Sequence, residues 1–240
     1  MEKKIFNKKM EELAKEINIE FSVEQLKKFH RYKELLLEWN EKMNLTAITD
    51  PEEIILKHFI DSLTILKEIK DNEKVVDVGT GAGFPGIPLS IMNETIKITL
   101  VDSLNKRLIF LQNVIDELKL ENVKIVHSRA EDFGKNKNYR ETFDIAVSRA
   151  VANLSTLSEY LIPLIKINAK CICMKASEAE EEIENAKKAI KVLGGAINRI
   201  DKFNLPKSDI GRTIIIISKE KGTPNKYPRK AGIPSKEPIK

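Results

Sequence analysis

The stretch "VVDVGTGAGFPGIP", Val75 to Pro88, decides the fold class, because a short apolar segment runs directly into four closely spaced glycines. Glycines at such a turn permit a tight bend and close approach of a ligand to the backbone. Read from Gly81, the loop matches G-x-G-x-x-G, which is typical of dinucleotide sites. Read from Asp77, it matches D-x-G-x-G-x-G. The loop alone therefore fits two classes of nucleotide-like ligand.

From residue 74 onward, apolar strands alternate with helices. Short apolar segments predict five strands, at residues 74–78, 97–102, 123–128, 143–148 and 169–175. Helical segments between them include one that Ser103 can cap and a charged one at 177–193. Such alternation is typical of a parallel sheet covered on both faces. The segments 196–205 and 211–220 have no helix between them, which predicts a terminal antiparallel pair and resembles the class I methyltransferase fold.

The chain divides into three parts by composition. Residues 1–70 read as a helical extension, with a capping box at Ser22 and Gln25 and a second helix start at Asp50. Residues 71–220 carry the strand–helix pattern. Residues 221–240 form a basic, proline-rich tail. We expect the first part to pack on the core of the second.

The net charge of +5 is concentrated at the C-terminus. Residues 219–240 contain seven basic and two acidic residues, so the rest of the chain is neutral. An extended basic terminus on a balanced body is a plausible polyanion-binding arm. A solvated tail that only improves solubility fits the same composition. Composition alone does not separate these two interpretations.

Several classes of protein are disfavoured by the sequence. No apolar run approaches the ~18 residues of a membrane span, and the N-terminus lacks an apolar signal core, so we expect a cytoplasmic protein without a membrane partner. Cys171 and Cys173 fit core packing better than a disulfide or a metal site. His30, His58 and His127 are scattered, which predicts no metal site.

The acidic residues near the glycines help to separate the candidate ligands. Asp102 ends the second strand and can bind ribose hydroxyls in either cofactor class. A carboxylate at Asp77 would repel a pyrophosphate but attract the ammonium and sulfonium of S-adenosylmethionine. Pro85 and Pro88 also remove amide donors from a phosphate cradle. The alternative for Asp77 is that it only caps amides of the loop.

The segment "HSRAED" follows the third strand. Its position places Ala130 and Glu131 where the adenine of a cofactor would lie, with polar groups facing the amine edge of the base. Surface decoration is the alternative interpretation of these two residues.

Several motifs together resemble one family. They are "WNEKMNLTAI", "HFIDSL", "VVDVGTGAGFPGIPL", "SRAED", "SRAVANLSTL" and "TPNKYPRKAGIPSKEP". The combination resembles the bacterial 16S rRNA guanine-N7 methyltransferases, also called glucose-inhibited division protein B. The resemblance covers nearly the whole chain. It implies an α/β, Rossmann-like, class I S-adenosylmethionine-dependent methyltransferase fold, with a seven-stranded sheet and an N-terminal helical extension.

The resemblance also implies site residues. Cofactor contacts are expected from eight positions: Gly79, Phe84, Asp102, Ser103, Leu104, Ala130, Glu131 and Arg149. Arg149 is also the candidate for orienting the base or the cofactor, and a structural salt bridge is the alternative for it. No catalytic residue is assigned with certainty. Ala176 departs from the family, whose members more often carry glycine there.

The expected partner is 16S rRNA or the small ribosomal subunit, bound by a monomer, with no role for DNA. Phosphate contacts are expected from Lys226, Arg229 and Lys230 in the tail, with further candidates at Lys135, Lys137 and Arg140. Guanine N7 has a free lone pair, so the transfer needs no general base and relies on orientation. An NAD-dependent oxidoreductase, a non-catalytic RNA-binding module and a methyltransferase for protein or small molecules are the rival hypotheses.

Overall fold

The computed structural model describes residues 1–239, and its centre is one seven-stranded sheet with the strand order β3-β2-β1-β4-β5-β7-β6. The strands are β1 (Lys74–Val78), β2 (Lys97–Asp102), β3 (Val123–His127), β4 (Phe143–Arg149), β5 (Ile165–Ala176), β6 (Gly195–Asn204) and β7 (Gly211–Lys219). Strands β1 to β5 pair in parallel, whereas β7 is antiparallel to both β5 and β6. The predicted parallel sheet and its terminal antiparallel pair are confirmed.

Helices cover both faces of this sheet. They are α1 (Lys3–Lys15), α2 (Val23–Met43), α3 (Pro51–Ile54), α4 (Asp61–Leu63), α5 (Gly86–Met92), α6 (Asn105–Leu118), α7 (Ala130–Lys135), α8 (Leu154–Leu161), α9 (Glu180–Val192) and α10 (Ile233–Lys236). A π-helical turn, Ile55–Ile60, joins α3 to α4. The single predicted helix after Asp50 is therefore three short pieces in the structure.

The predicted helix starts in the first part of the chain are confirmed. The Ser22 hydroxyl accepts from the Gln25 amide at 3.1 Å, and the Gln25 side chain accepts from the Ser22 amide at 2.8 Å. The Asp50 carboxylate accepts from the amides of Glu52 and Glu53. The prediction for Ser103 is wrong, because Leu104 is the N-cap of α6 and no side chain caps that end.

The core lies in two layers, one on each face of the sheet. On one face, α1, α2 and the segment 51–63 pack with α5 and α6, and the buried aromatic residues there include Phe6, Phe29 and Phe59. On the other face, α8 and α9 pack against the β4, β5 and β7 side chains, among them Cys171 and Cys173. Both cysteines are buried free thiols, as predicted. The N-terminal helices thus share a core with the sheet.

Candidate functional site

A cleft of about 820 Å³ opens at the carboxyl ends of β1, β2 and β4. The chain continues from β1 to β2 on one side, whereas β4 lies on the other side of β1, so this is the point where the strand order reverses. Open α/β sheets bind their ligands at such a point. All eight residues expected to contact a cofactor line this cleft: Gly79, Phe84, Asp102, Ser103, Leu104, Ala130, Glu131 and Arg149.

The glycine loop is bent so that its backbone faces the cleft. Gly79, Gly81 and Gly83 have φ angles of +71°, +62° and +99°, a region that strongly favours glycine. The Gly79 amide donates to the Val101 carbonyl at 2.8 Å, which ties the loop to β2. A Cβ on Gly81 would meet no atom within 4 Å. The cleft therefore has open space directly above Gly81.

Asp77 lies behind the glycine loop, outside the lining of the cleft. Its side chain is fully buried, and Oδ2 accepts from the Thr80 hydroxyl at 2.7 Å and from the Gly86 amide at 2.9 Å. Burial raises the pKa of Asp77 to about 6, against the lowering effect of these hydrogen bonds. The interpretation that Asp77 meets the cationic groups of a cofactor is corrected: Asp77 closes the loop, which was the alternative for it.

Asp102 is the carboxylate that faces the cleft. Its Oδ1 accepts from the Leu104 amide at 2.9 Å, and its Oδ2 accepts from the Gly81 amide at 3.0 Å and from Arg107 Nη1 at 3.2 Å. These bonds fix the carboxylate between the glycine loop and the start of α6. Arg107 also lines the cleft and was missed from the sequence. Its signal was its place in the first turn of the helix after Asp102.

Glu131 joins the cleft to the C-terminal tail. Its Oε1 accepts from the Gly232 amide at 2.8 Å, and both Gly232 and Ser235 line the cleft. Glu159 is fully buried and accepts three hydrogen bonds from the Arg229 guanidinium, at 2.7 and 3.1 Å on Oε2 and at 3.0 Å on Oε1. The tail is therefore folded and forms a wall of the cleft. Both interpretations of it as a free terminus, as an extended arm or as a solvated tail, are corrected.

Two of the six side chains expected to contact phosphate, Arg229 and Arg140, are held by other groups of the protein. Arg229 is committed to Glu159. Arg140 donates to the carbonyls of Thr223 and Tyr227, both at 2.7 Å, and so anchors the tail. Lys226 is exposed, and its Nζ lies 5.2 Å from the centre of the Tyr227 ring. Lys135, Lys137 and Lys230 are exposed and leave their prediction open.

Arg149, the last residue of β4, joins the sheet to the N-terminal helices. Its Nη1 donates to the Lys57 carbonyl and to Asp61 Oδ2, both at 3.0 Å. The guanidinium also lies 5.1 Å from the centre of the Phe84 ring, within the range of a cation–π contact. Asp61 is buried and binds Arg212 through its other oxygen at 3.0 Å. Arg149 thus forms a structural salt bridge, which was the alternative interpretation for it, and it also lines the cleft.

His58 and Thr46 complete this wall and were missed as site residues. The His58 ring stacks on Phe84 at 4.4 Å between ring centres, with an angle of 13° between the planes. Burial, reinforced by the charge of Arg149, lowers the pKa of His58 to about 3, so the ring is neutral at physiological pH. Both residues lie in motifs of the family. The sequence around His58 has no metal-binding pattern, so it gave no chemical reason to assign this histidine to the site. The π-helical turn that carries His58 is a feature often found at functional sites.

Three further expectations concern Ala176, metal binding and membrane spans. Ala176 ends β5, pairs with Arg212, and does not line the cleft. Within residues 1–239, no three side chains of His, Cys, Asp or Glu are grouped so that they could hold a metal ion. Over the same residues, every helix is too short or too polar to cross a membrane.

The fold is shared with known methyltransferases. A methyltransferase from Aquifex aeolicus, described as SAM-dependent, superposes with a TM-score of 0.55, at 21% identity, over 72% of this chain and 96% of that chain. At this identity the likeness concerns the fold alone. The class I methyltransferase fold expected from the sequence is confirmed.

The sequence relatives carry a more specific description. The protein of Clostridium botulinum (strain Eklund 17B / Type B) named ribosomal RNA small subunit methyltransferase G is 53% identical over 229 residues, covering 95% of this chain and 96% of its own. Its namesake in Acetivibrio thermocellus is 55% identical, over 90% of this chain and 89% of its own. The GidB family model, described as rRNA small subunit methyltransferase G, matches residues 25–210. Since this match covers most of the chain, the chain belongs to the rRNA small subunit methyltransferase G family.

Proposed function

We propose that this protein transfers a methyl group from S-adenosylmethionine to N7 of one guanine in 16S rRNA. The observation that carries the proposal is the cleft, which gathers eight residues spread between positions 79 and 149 at the switch point of a methyltransferase sheet. Membership of the family supports the choice of ribosomal RNA as the substrate. No geometry in the cleft favours the oxidoreductase or the non-catalytic alternative.

The cleft residues fit the proposed cofactor. The open space above Gly81 allows close approach of a ligand to the backbone, and Asp102 presents a fixed carboxylate beside it. We assign Asp102 to the ribose hydroxyls and Ala130 with Glu131 to the adenine, since these residues follow β2 and β3 in order along the cleft. When bound, S-adenosylmethionine supplies an electrophilic methyl group on its sulfonium.

The protein contributes orientation and not proton transfer. Guanine N7 carries a lone pair that is free to attack, so no group needs to remove a proton beforehand. The histidine in the cleft has a pKa of about 3 and engages Arg149 and Thr46 through its two ring nitrogens. Arg149 is held by Asp61 and Lys57, which leaves it rigid as a wall against which the base is placed. Alignment of this kind can lower the activation free energy by about 7–11 kcal/mol, and the target base must be unstacked to enter.

The RNA is proposed to bind around the mouth of the cleft. Lys226 and Lys230 are exposed on the tail next to the cleft wall formed by Gly232 and Ser235, so phosphates of the bound strand can pass there. Arg229 contributes to this surface by holding the tail in place. We further propose that the protein acts as a monomer in the cytoplasm, on 16S rRNA or the assembled small subunit.

The test is methyl transfer from labelled S-adenosylmethionine to small-subunit rRNA from a strain that lacks the enzyme. We expect one labelled guanine, modified at N7, found by chain cleavage at N7-methylguanine and mapped by primer extension. Calorimetry with NAD and with S-adenosylmethionine separates the oxidoreductase hypothesis, since only the second should bind. Binding of S-adenosylmethionine without any transfer to naked rRNA or to the assembled subunit would contradict the proposal.

A further inference from the structure

Thr46 and His58 form a wall of the cleft, and the proposed methyl transfer assigns no role to Thr46. Thr46 lies in the loop after α2 and is fixed by its backbone, because its amide donates to Asn40 Oδ1 at 2.8 Å. Its hydroxyl accepts from the Ile48 amide at 3.0 Å. The hydroxyl therefore has a defined position before any ligand binds.

The positions of the protons on this wall follow from Arg149. Arg149 Nη2 lies 3.2 Å from His58 Nδ1, and a guanidinium has donors only, so Nδ1 must accept. A neutral imidazole that accepts at Nδ1 carries its proton on Nε2. His58 Nε2 lies 2.9 Å from the Thr46 hydroxyl oxygen, and it therefore donates to that oxygen. Arg149 thus sets the tautomer of His58.

The Thr46 oxygen then accepts two hydrogen bonds, from His58 and from Ile48, which uses both of its lone pairs. Its own proton must point elsewhere, and within residues 1–239 this hydroxyl donates to no acceptor. We propose that Thr46 is a fixed hydrogen-bond donor to an oxygen of the ligand in the cleft, oriented by Arg149 through His58. This inference rests on the proposed function of the cleft.

Two ligands of the proposed reaction present such an oxygen. One is the carboxylate of the cofactor, and the other is O6 of the target guanine, which lies beside N7. A donor on O6 would leave the N7 lone pair free and would reject adenine, because adenine carries a donor amino group in place of O6. Both oxygens have the same acceptor chemistry, and experiment separates them.

The first experiment compares Thr46→Val with Thr46→Ser. Valine keeps the shape but removes the hydroxyl, whereas serine retains it. We expect Thr46→Val to lose about tenfold in affinity for one ligand, the range for one hydrogen bond, and Thr46→Ser to stay near wild type. Thr142→Val is the matched control, since Thr142 is a half-buried threonine remote from the cleft. Thermal unfolding of each variant shows whether the fold is intact.

Two ligand pairs identify the oxygen. If the acceptor is the carboxylate, Thr46→Val binds S-adenosylmethionine more weakly but binds methylthioadenosine, which lacks the amino acid part, as wild type does. If the acceptor is O6, Thr46→Val keeps its cofactor affinity and loses affinity for RNA with guanine at the target site. It loses none for the same RNA with 2-aminopurine there, which lacks O6. Wild-type affinity in all four measurements would overturn the proposal.

Nitrogen NMR of the histidine rings tests the orientation directly. We expect the His58 signals to show a bare Nδ1 and a protonated Nε2 across the neutral pH range, assigned by loss of these signals in His58→Phe. A proton on Nδ1 would overturn the proposal. A failure of the proposed function would give a different result: the wild-type protein would show this tautomer of His58 but would transfer no methyl group to rRNA.

Discussion

The glycine loop and the C-terminal tail both form walls of the same cleft, but they are held in place in opposite ways. The loop is closed by contacts near in sequence: Asp77 binds Thr80, three residues away, and Gly86, nine residues away. The tail is held by partners far away, since Arg229 binds Glu159 at a separation of 70 residues and Gly232 binds Glu131 at 101. The glycines of the short-range wall can be recognised in the sequence, whereas the partners that hold the long-range wall cannot.

The largest effect is expected where the loop meets the N-terminal helices. A Cβ on Gly83 would lie 2.6 Å from the Tyr32 hydroxyl and 2.7 Å from Ile87 Cγ1, in addition to the unfavourable φ of +99°. We expect Gly83→Ala to lower the free energy of unfolding by about 2–5 kcal/mol, combining overpacking with left-handed strain. Urea unfolding measures this change.

Gly81→Ala is the matched control, because Gly81 also has a positive φ, of +62°, but open space around it. We expect a loss of only about 1–2 kcal/mol, from left-handed strain alone. Equal losses at Gly81 and Gly83 would show that the loop is limited by its own backbone and not by contact with Tyr32.

The next effect tests whether the tail is a structural wall. Arg229→Ala leaves the buried Glu159 carboxylate without its cation. We expect a loss of about 3 kcal/mol in the free energy of unfolding, at the lower end for a broken buried pair because Arg229 is partly exposed. Calorimetry should show weaker S-adenosylmethionine binding as well, since the tail lines the cleft. Lys230→Ala, at the exposed neighbour, should change stability by less than about 0.5 kcal/mol.

Deletion of the tail after Gly222 extends the same test. If the tail were a free arm, its removal would weaken RNA binding and nothing else. As a wall that includes Gly232 and Ser235, its removal should weaken cofactor binding too. Unchanged cofactor affinity in both the deletion and Arg229→Ala would restore the interpretation of the tail as an arm.

A pH effect of similar or smaller size is expected from Asp77. Its folded pKa of about 6 lies above the ordinary value of 3.8, so the folded state binds the proton more tightly than the unfolded state. The contribution of Asp77 to stability is therefore greatest below pH 4 and is lost as the pH rises to 6. The loss amounts to about 2–3 kcal/mol from a shift of about two units.

The comparison of wild type with Asp77→Asn isolates this contribution, since the asparagine does not titrate. Urea unfolding between pH 4 and 7 should show wild type losing stability relative to the variant up to about pH 6, and a constant difference above it. Parallel profiles over this range would show that burial does not raise the pKa of Asp77.

The smallest effect concerns the exposed lysines of the tail. Lys226→Ala and Lys230→Ala should each reduce the slope of log affinity for rRNA against log salt by about 0.7–0.9, with no change in cofactor binding. Filter binding at several salt concentrations measures this slope. An unchanged slope in both variants would leave the tail as a wall of the cleft without a role in RNA binding.

The sequence predicted most of the sheet and eight residues that line the cleft, but not the partners of their side chains. Each strand carries its own apolar pattern, so β1 to β7 could be located. Only β5 was predicted several residues too short, at 169–175 against Ile165–Ala176. The eight expected residues line one cleft because the carboxyl ends of parallel strands meet at one edge. The role of Asp77 was wrong because its position next to the glycines gave no information on which way its side chain turns.

His58 and Arg229 show why the remainder could not be predicted. His58 is useful only because folding brings Arg149, 91 residues away, to one of its ring nitrogens. Arg229 was expected to contact RNA because positive charge favours phosphate, but folding brings its guanidinium to the buried carboxylate of Glu159. Such pairings depend on which distant surfaces come together.

The sequence by itself determined the order of strands and helices, the place of the glycine loop and the family, because these are written in residues close to one another. Only the tertiary structure decided that Asp77 closes the loop, that the tail is a wall of the cleft, and that Arg149, His58 and Thr46 form one chain of hydrogen bonds. The physical reason is that burial and the direction of a side chain depend on how the whole chain folds. Most of the pairings are distant in sequence, and even the near contacts of Asp77 form only once the loop is bent.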